Sequence, residues 1–270
     1  MTLVEVLAVI GVLGALLGIA LPTIGGAREA AREAACGANI RSIQAANEAY
    51  ALDHQERYVP GAAARRLGQT GQVVTNLERW HGARDAVSQP FRAVGGAITA
   101  YLSGAGSSRG VRECPSFAAR LNELRERGEG FEAGAGGYGY NNSFVGTERV
   151  LAANGLWVTV SGGLGRAARR GQFAAPARTI GFTDAAFAAD TSVIEYSFAE
   201  PAFWPDMAGA RPDPSIHFRH RGRAQVVWLD GRVSSEERTF TAWSGLYGTD
   251  PERVGIGWFG PQTNEWFDYE

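Results

Sequence analysis

The sequence predicts an α+β protein in which one long N-terminal helix, apolar in its first half, packs its second half on an antiparallel-rich sheet domain. Three observations lead there. Residues 3–21 form an apolar run with a single charge, Glu5. Apolar side chains then recur at three- and four-residue spacing through Cys36, Ile40, Ile43, Ala46 and Tyr50, which extends the helical pattern to about Asp53. Beyond it, short β-prone stretches alternate with glycine runs such as Gly134-Ala135-Gly136-Gly137 and Gly162-Gly163, which read as loops. The expected division is a helix over 1–54, with 1–22 as its membrane segment, and a β-rich globular domain over 55–270.

The apolar run is long enough for a bilayer core of about 30 Å, which takes roughly 20 helical residues. No basic residue precedes it, and the first is Arg28. A secretory signal peptide opens with positive charge and closes at a small-residue cleavage site. Neither is legible, and the helical pattern continues past residue 22, so the segment is expected to stay in the working protein. A carboxylate in such a run is costly in lipid, so Glu5 is expected to have a partner. Gly11, Gly14 and Gly18 each weaken the helix by about 1 kcal/mol, and Pro22 by about 3 kcal/mol. Pro22 also removes the hydrogen bond to the Gly18 carbonyl. These residues fit either close helix packing in a membrane or a stretch able to unwind.

Past residue 22 the helix becomes amphipathic. Arg28, Glu29, Arg32, Glu33, Arg41 and Glu48 occupy its polar faces, with Glu29 and Arg32 spaced for an i,i+3 pair. About 50 residues at 1.5 Å each make a rod of roughly 75 Å. The charged passage from Asp53 to the helix-breaking Pro60 ends it.

In the domain, segments 76–80 and 117–127 have helical character. Strands are expected over 156–160, 179–182, 192–198, 224–229 and 232–235. Asp230-Gly231 between the last two predicts a two-residue type I′ turn. The aromatic tail, Trp258-Phe259 and Trp266-Phe267-Asp268-Tyr269, is expected to pack on its own sheet rather than on a neighbour.

Composition bounds the function. The chain has 270 residues, enough for one sizeable domain besides the helix, and its net charge of −2 argues against general nucleic-acid binding. All its basic side chains are Arg; Lys is absent, and nothing in the pattern explains that. No Gly-x-Ser-x-Gly elbow, phosphate loop or His-Glu-x-x-His motif occurs, so a catalytic role is not expected, and no cofactor is implied. Asp206, Asp213 and the many Glu residues read as solvated surface. His54 and His81 lack metal-ligand spacing, and no calcium-type acidic loop is legible. His217 and His220 lie three residues apart. His220 has two readings: with Asp184 and Asp230 it could form a cation site, or it fixes a hairpin by hydrogen bonding, the simpler of the two.

The N-terminal pattern carries a resemblance. Thr2-Leu3-Val4-Glu5-Val6, the apolar run, Pro22 and the polar helix beyond resemble type IV pilins and type II secretion pseudopilins. Asp53-His54-Gln55-Glu56-Arg57-Tyr58-Val59-Pro60 loosely resembles the passage that closes the long helix of major pseudopilins, with Val59 as an extra residue. The stretch from His220 through nine residues to Asp230-Gly231 is similar to the signature of a large pilin-like family with long C-terminal domains. Cys36 before Asn39-Ile40-Arg41, Cys114-Pro115-Ser116, Tyr138-Gly139-Tyr140-Asn141, and Pro176-Ala177-Arg178-Thr179-Ile180 with Asp184 follow the same order over nearly the whole chain.

The resemblance implies a pilin fold and a structural role in a helical homopolymer. A prepilin peptidase would cut before residue 1 and methylate the new amine, here of Met1 where Phe is usual. The charge pattern, with Arg28, Arg32 and Arg41 after the span, favours a lost basic leader. Met1 and Glu5 would govern subunit assembly, and residues 11–22 would melt on extraction. The implied partners are further copies of the chain, the peptidase, an assembly platform with its ATPase, and the inner membrane before assembly. The product would be an extracellular pilus serving motility or adhesion, which the large domain favours, or a periplasmic secretion pseudopilus. An anchored binding module that does not polymerise is the principal rival. In an exported protein an isolated cysteine pair tends to be oxidised, so Cys36 and Cys114 are expected to form a disulfide in preference to two buried thiols.

Overall fold

The structure, a computed structural model, describes residues 2–63, 65–67, 72–74, 76–93, 95–102, 110–129, 132–160, 165–189 and 192–270. Met1, the Gly162-Gly163 pair and the side chain of Pro22 lie outside the described residues.

Helix α1 (Leu3–Asp53) is continuous over 51 residues. Its second half carries the expected stripe: Cys36, Ile40, Ile43 and Ala46 are buried and Tyr50 is half-buried. Burying each isoleucine contributes about 1.5–3 kcal/mol. The helix ends where Gln55 and Glu56 take positive φ values of 56° and 63°, a conformation that cannot continue a right-handed helix.

The stripe packs on a four-stranded sheet of β1 (Tyr138–Tyr140), β2 (Ile180–Asp184), β3 (Arg223–Trp228) and β4 (Val233–Glu237), in the spatial order β4-β3-β2-β1. Every neighbouring pair is antiparallel. Side chains alternate between faces with a period of two. Tyr140 pairs with Phe182 and Tyr138 with Asp184, and the rings of Tyr140 and Phe182 stack at 4.5 Å. The Tyr138 hydroxyl donates to the Cys36 carbonyl and the Tyr140 hydroxyl to the Val59 carbonyl, so this face meets α1. Close approach is needed there: a Cβ at Gly181 would lie 2.5 Å from Gln44 Oε1. Asn47 and Gln44, polar but buried on α1, are held by the Val59 N–H and the Leu229 carbonyl.

Helix α2 (Ala118–Glu126) falls inside the segment expected to be helical. Segment 76–80 does not. Glu78–Arg79 pairs with Gly82–Ala83 as a short hairpin, and Asn76 adopts a positive φ of 66°. Five residues cannot offset the cost of nucleating a helix, whereas the hairpin buries Trp80 completely. The strand expected over 192–198 stops after Ser192–Ile194, because Ala186, next along its partner strand, donates its N–H to the Ser215 carbonyl instead.

The hairpin from β3 to β4 also differs from expectation. Val227 pairs with Val233, the Gly231 N–H donates to the Trp228 carbonyl, and only Gly231 has a positive φ. The connection is therefore a three-residue loop with a left-handed glycine, not a type I′ turn. Positive φ at both central residues, as type I′ requires, occurs instead at Arg221 (55°) and Gly222 (83°), between His220 and Arg223. The aromatic tail packs on its own domain as expected: Trp258, Phe259, Phe267 and Tyr269 are buried, and Trp266 meets Trp228 edge-on.

Candidate functional site

Two features stand out, an uncovered apolar arm and a buried polar cluster where that arm joins the domain. The arm begins with a capping box. Glu5 Oε2 accepts from the Thr2 N–H at 2.7 Å, and Thr2 Oγ1 accepts from the Glu5 N–H at 3.4 Å. Glu5 thus satisfies a free backbone donor at the helix start. Beyond it the described apolar side chains of the arm are exposed, Leu3, Val4 and Ile19 each by at least 70%. This half is long and apolar enough to cross a membrane, with a mean hydropathy of 2.5. Among the described residues, nothing outside the local helix backbone lies within 4 Å of where a Cβ would stand at Gly11, Gly14 or Gly18, so packing within the chain does not require them.

The domain takes hold of α1 between Gly26 and Glu33. Arg221 Nη2 donates to the Gly26 carbonyl at 2.6 Å, and Ser116 Oγ donates to Glu29 Oε1 at 3.1 Å. Glu33 Oε1 accepts from Gln225 Nε2 and Ser235 Oγ, each at 3.0 Å.

Directly below this grip lies His220, fully buried. The Arg221-Gly222 turn directs its side chain toward α1. Its Nε2 is 3.2 Å from Asp184 Oδ2 and 3.6 Å from Cys114 Sγ, while Nδ1 faces Glu29 Oε1 at 3.5 Å. Asp184 Oδ2 also accepts from the Gln225 N–H at 2.7 Å, which ties β2 to β3, whereas Asp184 Oδ1 is buried without a hydrogen bond. Cys114 is joined to Cys36 in a disulfide with a Cα–Cα distance of 4.9 Å. The bridge, His220 and Asp184 form one buried group connecting α1 to the sheet.

Beside it, Arg219 is buried against the face of Phe117, 4.1 Å from the ring centre. Its Nη2 donates to the carbonyls of Gly137 and Ala185 at 2.9 Å and 2.6 Å. The glycine run is what makes this cradle possible. Gly137 has φ 83°, and a Cβ there would lie 2.6 Å from Arg219 Nη1. Burial and the Arg219 charge push the His217 pKa well down, so His217 is neutral. Burial raises Glu195 to about 7, opposed by the hydrogen bond from the Gly136 N–H.

Of the three residues considered for a cation, Asp184 and His220 meet and Asp230 does not. Asp230 is exposed in the turn after β3, where Oδ1 accepts from the Arg232 N–H. It borders an open surface groove with Arg41, Glu48 and Arg170. The six residues of β3, at about 3.3 Å each, separate it from His220. Gly231 serves the turn alone.

Glutamates expected at the surface need a second correction. Glu132, Glu148, Glu195 and Glu200 are buried, each with a partner: Arg79, Arg57, the Gly136 N–H and the Tyr196 hydroxyl. Asp206 is exposed as expected, 3.5 Å from Arg149. Sequence reasoning passed over Glu29 and Arg219 as members of the cluster. The adjacent Gly136-Gly137 pair was the available signal for Arg219, since paired glycines allow a bulky group to approach the backbone closely.

Comparison with protein family models, with characterised proteins and with solved structures finds no match to this chain.

Proposed function

We propose that this chain is a structural subunit of a type IV pilus-like filament, held by its arm in the inner membrane before assembly and polymerising through that arm. The carrying observation is the contrast within α1. One half is locked to the domain, and the other half is a bare apolar rod. Apolar area left in water costs about 25 cal/mol per Å². A bilayer relieves that cost, and so does a bundle of arms from neighbouring copies. Glu5 serves both states: its carboxylate caps the helix in the single chain, and a bundle can in addition match its charge with an N-terminal amine. The partners that follow are further copies of the chain, a prepilin peptidase acting at residue 1, and an assembly platform driven by an ATPase.

Electron microscopy of material sheared from the surface of producing cells tests the reading. Thin fibres that yield peptides of this chain by mass spectrometry are expected. Exclusive recovery of the chain in the membrane fraction, with no fibre containing it, would leave an anchored domain and overturn the filament.

A further inference from the structure

We propose that the chain, when Cys36 and Cys114 are reduced, binds one Zn2+ through both thiolates, His220 Nε2 and the Asp184 carboxylate. This does not depend on polymerisation. The two sulfurs and a ring nitrogen of His220 lie within 4.8 Å of one another, and all three residues are buried. Zinc takes four ligands in a tetrahedron, with Zn–S near 2.3 Å and Zn–N or Zn–O near 2.0–2.1 Å. Those lengths place sulfur and nitrogen ligands about 3.6 Å apart, and nitrogen and oxygen ligands about 3.3 Å apart. Cys114 Sγ and His220 Nε2 are 3.6 Å apart, and His220 Nε2 and Asp184 Oδ2 are 3.2 Å apart. The sulfurs, now bonded to each other, must separate, and the Asp184 carboxylate, which lies outside that 4.8 Å group, must swing toward them.

A second observation points the same way. Asp184 Oδ1 and His220 Nδ1 are both buried without a hydrogen bond. Asp184 Oδ1 has the Arg219 guanidinium beside it, but at 4.0 Å, too far for a hydrogen bond, so a directly bound cation would further offset the cost of burying it. The donor set of two thiolates, one imidazole and one carboxylate suits Zn2+ rather than Ca2+ or Mg2+, which prefer oxygen alone. Glu29 Oε1, facing Nδ1 at 3.5 Å, would orient the imidazole from outside the ligand shell.

The chemistry balances. A dithiol passes two electrons and two protons to the disulfide, becoming a disulfide itself and leaving two cysteine thiols. Zn2+ then displaces two protons to give the bis-thiolate. In reverse, a small disulfide oxidant takes two electrons from the thiolates and two protons from solvent, leaves as two thiols, re-forms the Cys36–Cys114 bond and releases Zn2+. In either state α1, which carries Cys36, stays cross-linked to the domain, which carries Cys114 and His220. The zinc form therefore preserves the grip on the helix in a reducing environment.

The test uses the full chain in detergent micelles, reduced with a phosphine and titrated with Co2+ without oxygen. One equivalent should produce thiolate-to-cobalt charge-transfer absorption and the intense visible bands of tetrahedral Co2+, both abolished by Zn2+. The disulfide form should produce neither. His220→Ala should lose about 100-fold or more in Co2+ affinity, beyond the 10–100-fold usual for removing an outer-shell partner. Absence of these bands in the reduced wild type, or unchanged affinity in His220→Ala, overturns the proposal. Zinc-edge X-ray absorption of the reduced wild type requires no variant to fold: two sulfur and two nitrogen or oxygen scatterers are expected, and a shell without sulfur overturns the site.

Discussion

Arg221 reaches across 195 residues of sequence to donate from Nη2 to the carbonyl of Gly26, at 2.6 Å. That contact lies at the boundary between two environments on one helix. On its C-terminal side Glu29 and Glu33 are bonded to Ser116, Gln225 and Ser235. On its N-terminal side Ile24 is exposed, as are the apolar side chains described before it. Arg221 pays for its left-handed backbone, φ 55°, with this contact.

A chain beginning at residue 25 should therefore fold and remain in aqueous solution, because among the described residues the domain's core begins at Cys36. Gel filtration and thermal unfolding would measure this. A soluble monomer with a cooperative transition is expected; aggregation of the shortened chain despite an intact disulfide would show that the arm contributes to the domain.

Glu5 has two roles that one substitution separates. In the single chain its carboxylate caps the helix through the Thr2 N–H. Glutamine can make the same capping-box bond, but it carries no charge. If Glu5 neutralises the Met1 amine of a neighbouring subunit, Glu5→Gln should insert normally in the membrane and sharply lower filament yield. An unpaired charge in a dry core costs several kcal/mol, so the pairing would also penalise wrong axial register. Wild-type yield from a normally processed Glu5→Gln chain would remove Glu5 as an assembly determinant.

The glycines of the arm lead to a third expectation. No neighbour within the chain crowds Gly11, Gly14 or Gly18, yet each weakens the helix by about 1 kcal/mol. In the polymer, part of 11–22 should be non-helical. A filament reconstruction at side-chain resolution would decide it, and an unbroken α-helix through those residues would count against melting. Continuity in the single chain does not bear on the point.

What could be read from the sequence follows the range of the interactions involved. The α1 stripe was legible because Cys36, Ile40, Ile43 and Ala46 repeat at helical spacing, a local property. The type I′ turn was misplaced because Asp230-Gly231 has the stronger local preference. Arg221-Gly222 takes that geometry through a contact with a distant helix. Asp230 was grouped with His220 because the two share a motif, but an intervening strand carries motif neighbours apart. The burial of Arg219 left only a faint trace: its acceptors, the carbonyls of Gly137 and Ala185, come from elsewhere in the chain, and the Gly136-Gly137 pair does not say which side chain approaches it.

The cysteines offer a fourth test. Non-reducing digestion should recover a single peptide pair containing Cys36 and Cys114, whose separation is 78 residues. Bonded to each other they hold no thiol, so alkylation of the unreduced, denatured chain should label neither. Closing a loop of that size stabilises the fold by about 3–5 kcal/mol. Reduction in the presence of a chelator should lower the unfolding midpoint accordingly. Recovery of both cysteines as alkylated thiols from unreduced, denatured material would remove the disulfide.

Glu195 makes stability depend on pH in a direction that can be worked out. Burial raises its folded-state pKa from 4.5 to about 7. Between those values the folded chain holds a proton that the unfolded chain has released. Its contribution is therefore fully present below about pH 4.5 and is lost as pH rises to 7, by about 3 kcal/mol at most. His217 and His81 act in the opposite sense. Burial keeps them neutral in the fold, His81 down to about 3, so they lose stability as pH falls below 6.5. The net profile of the wild type mixes these effects, and a difference between two proteins isolates one. Glu195→Gln keeps an oxygen to accept from the Gly136 N–H and removes the charge. Relative to wild type, it should gain stability as pH is raised from 5 to 8, read by denaturant unfolding at each pH. A constant difference across that interval would mean that Glu195 is already ionised in the folded chain at pH 5.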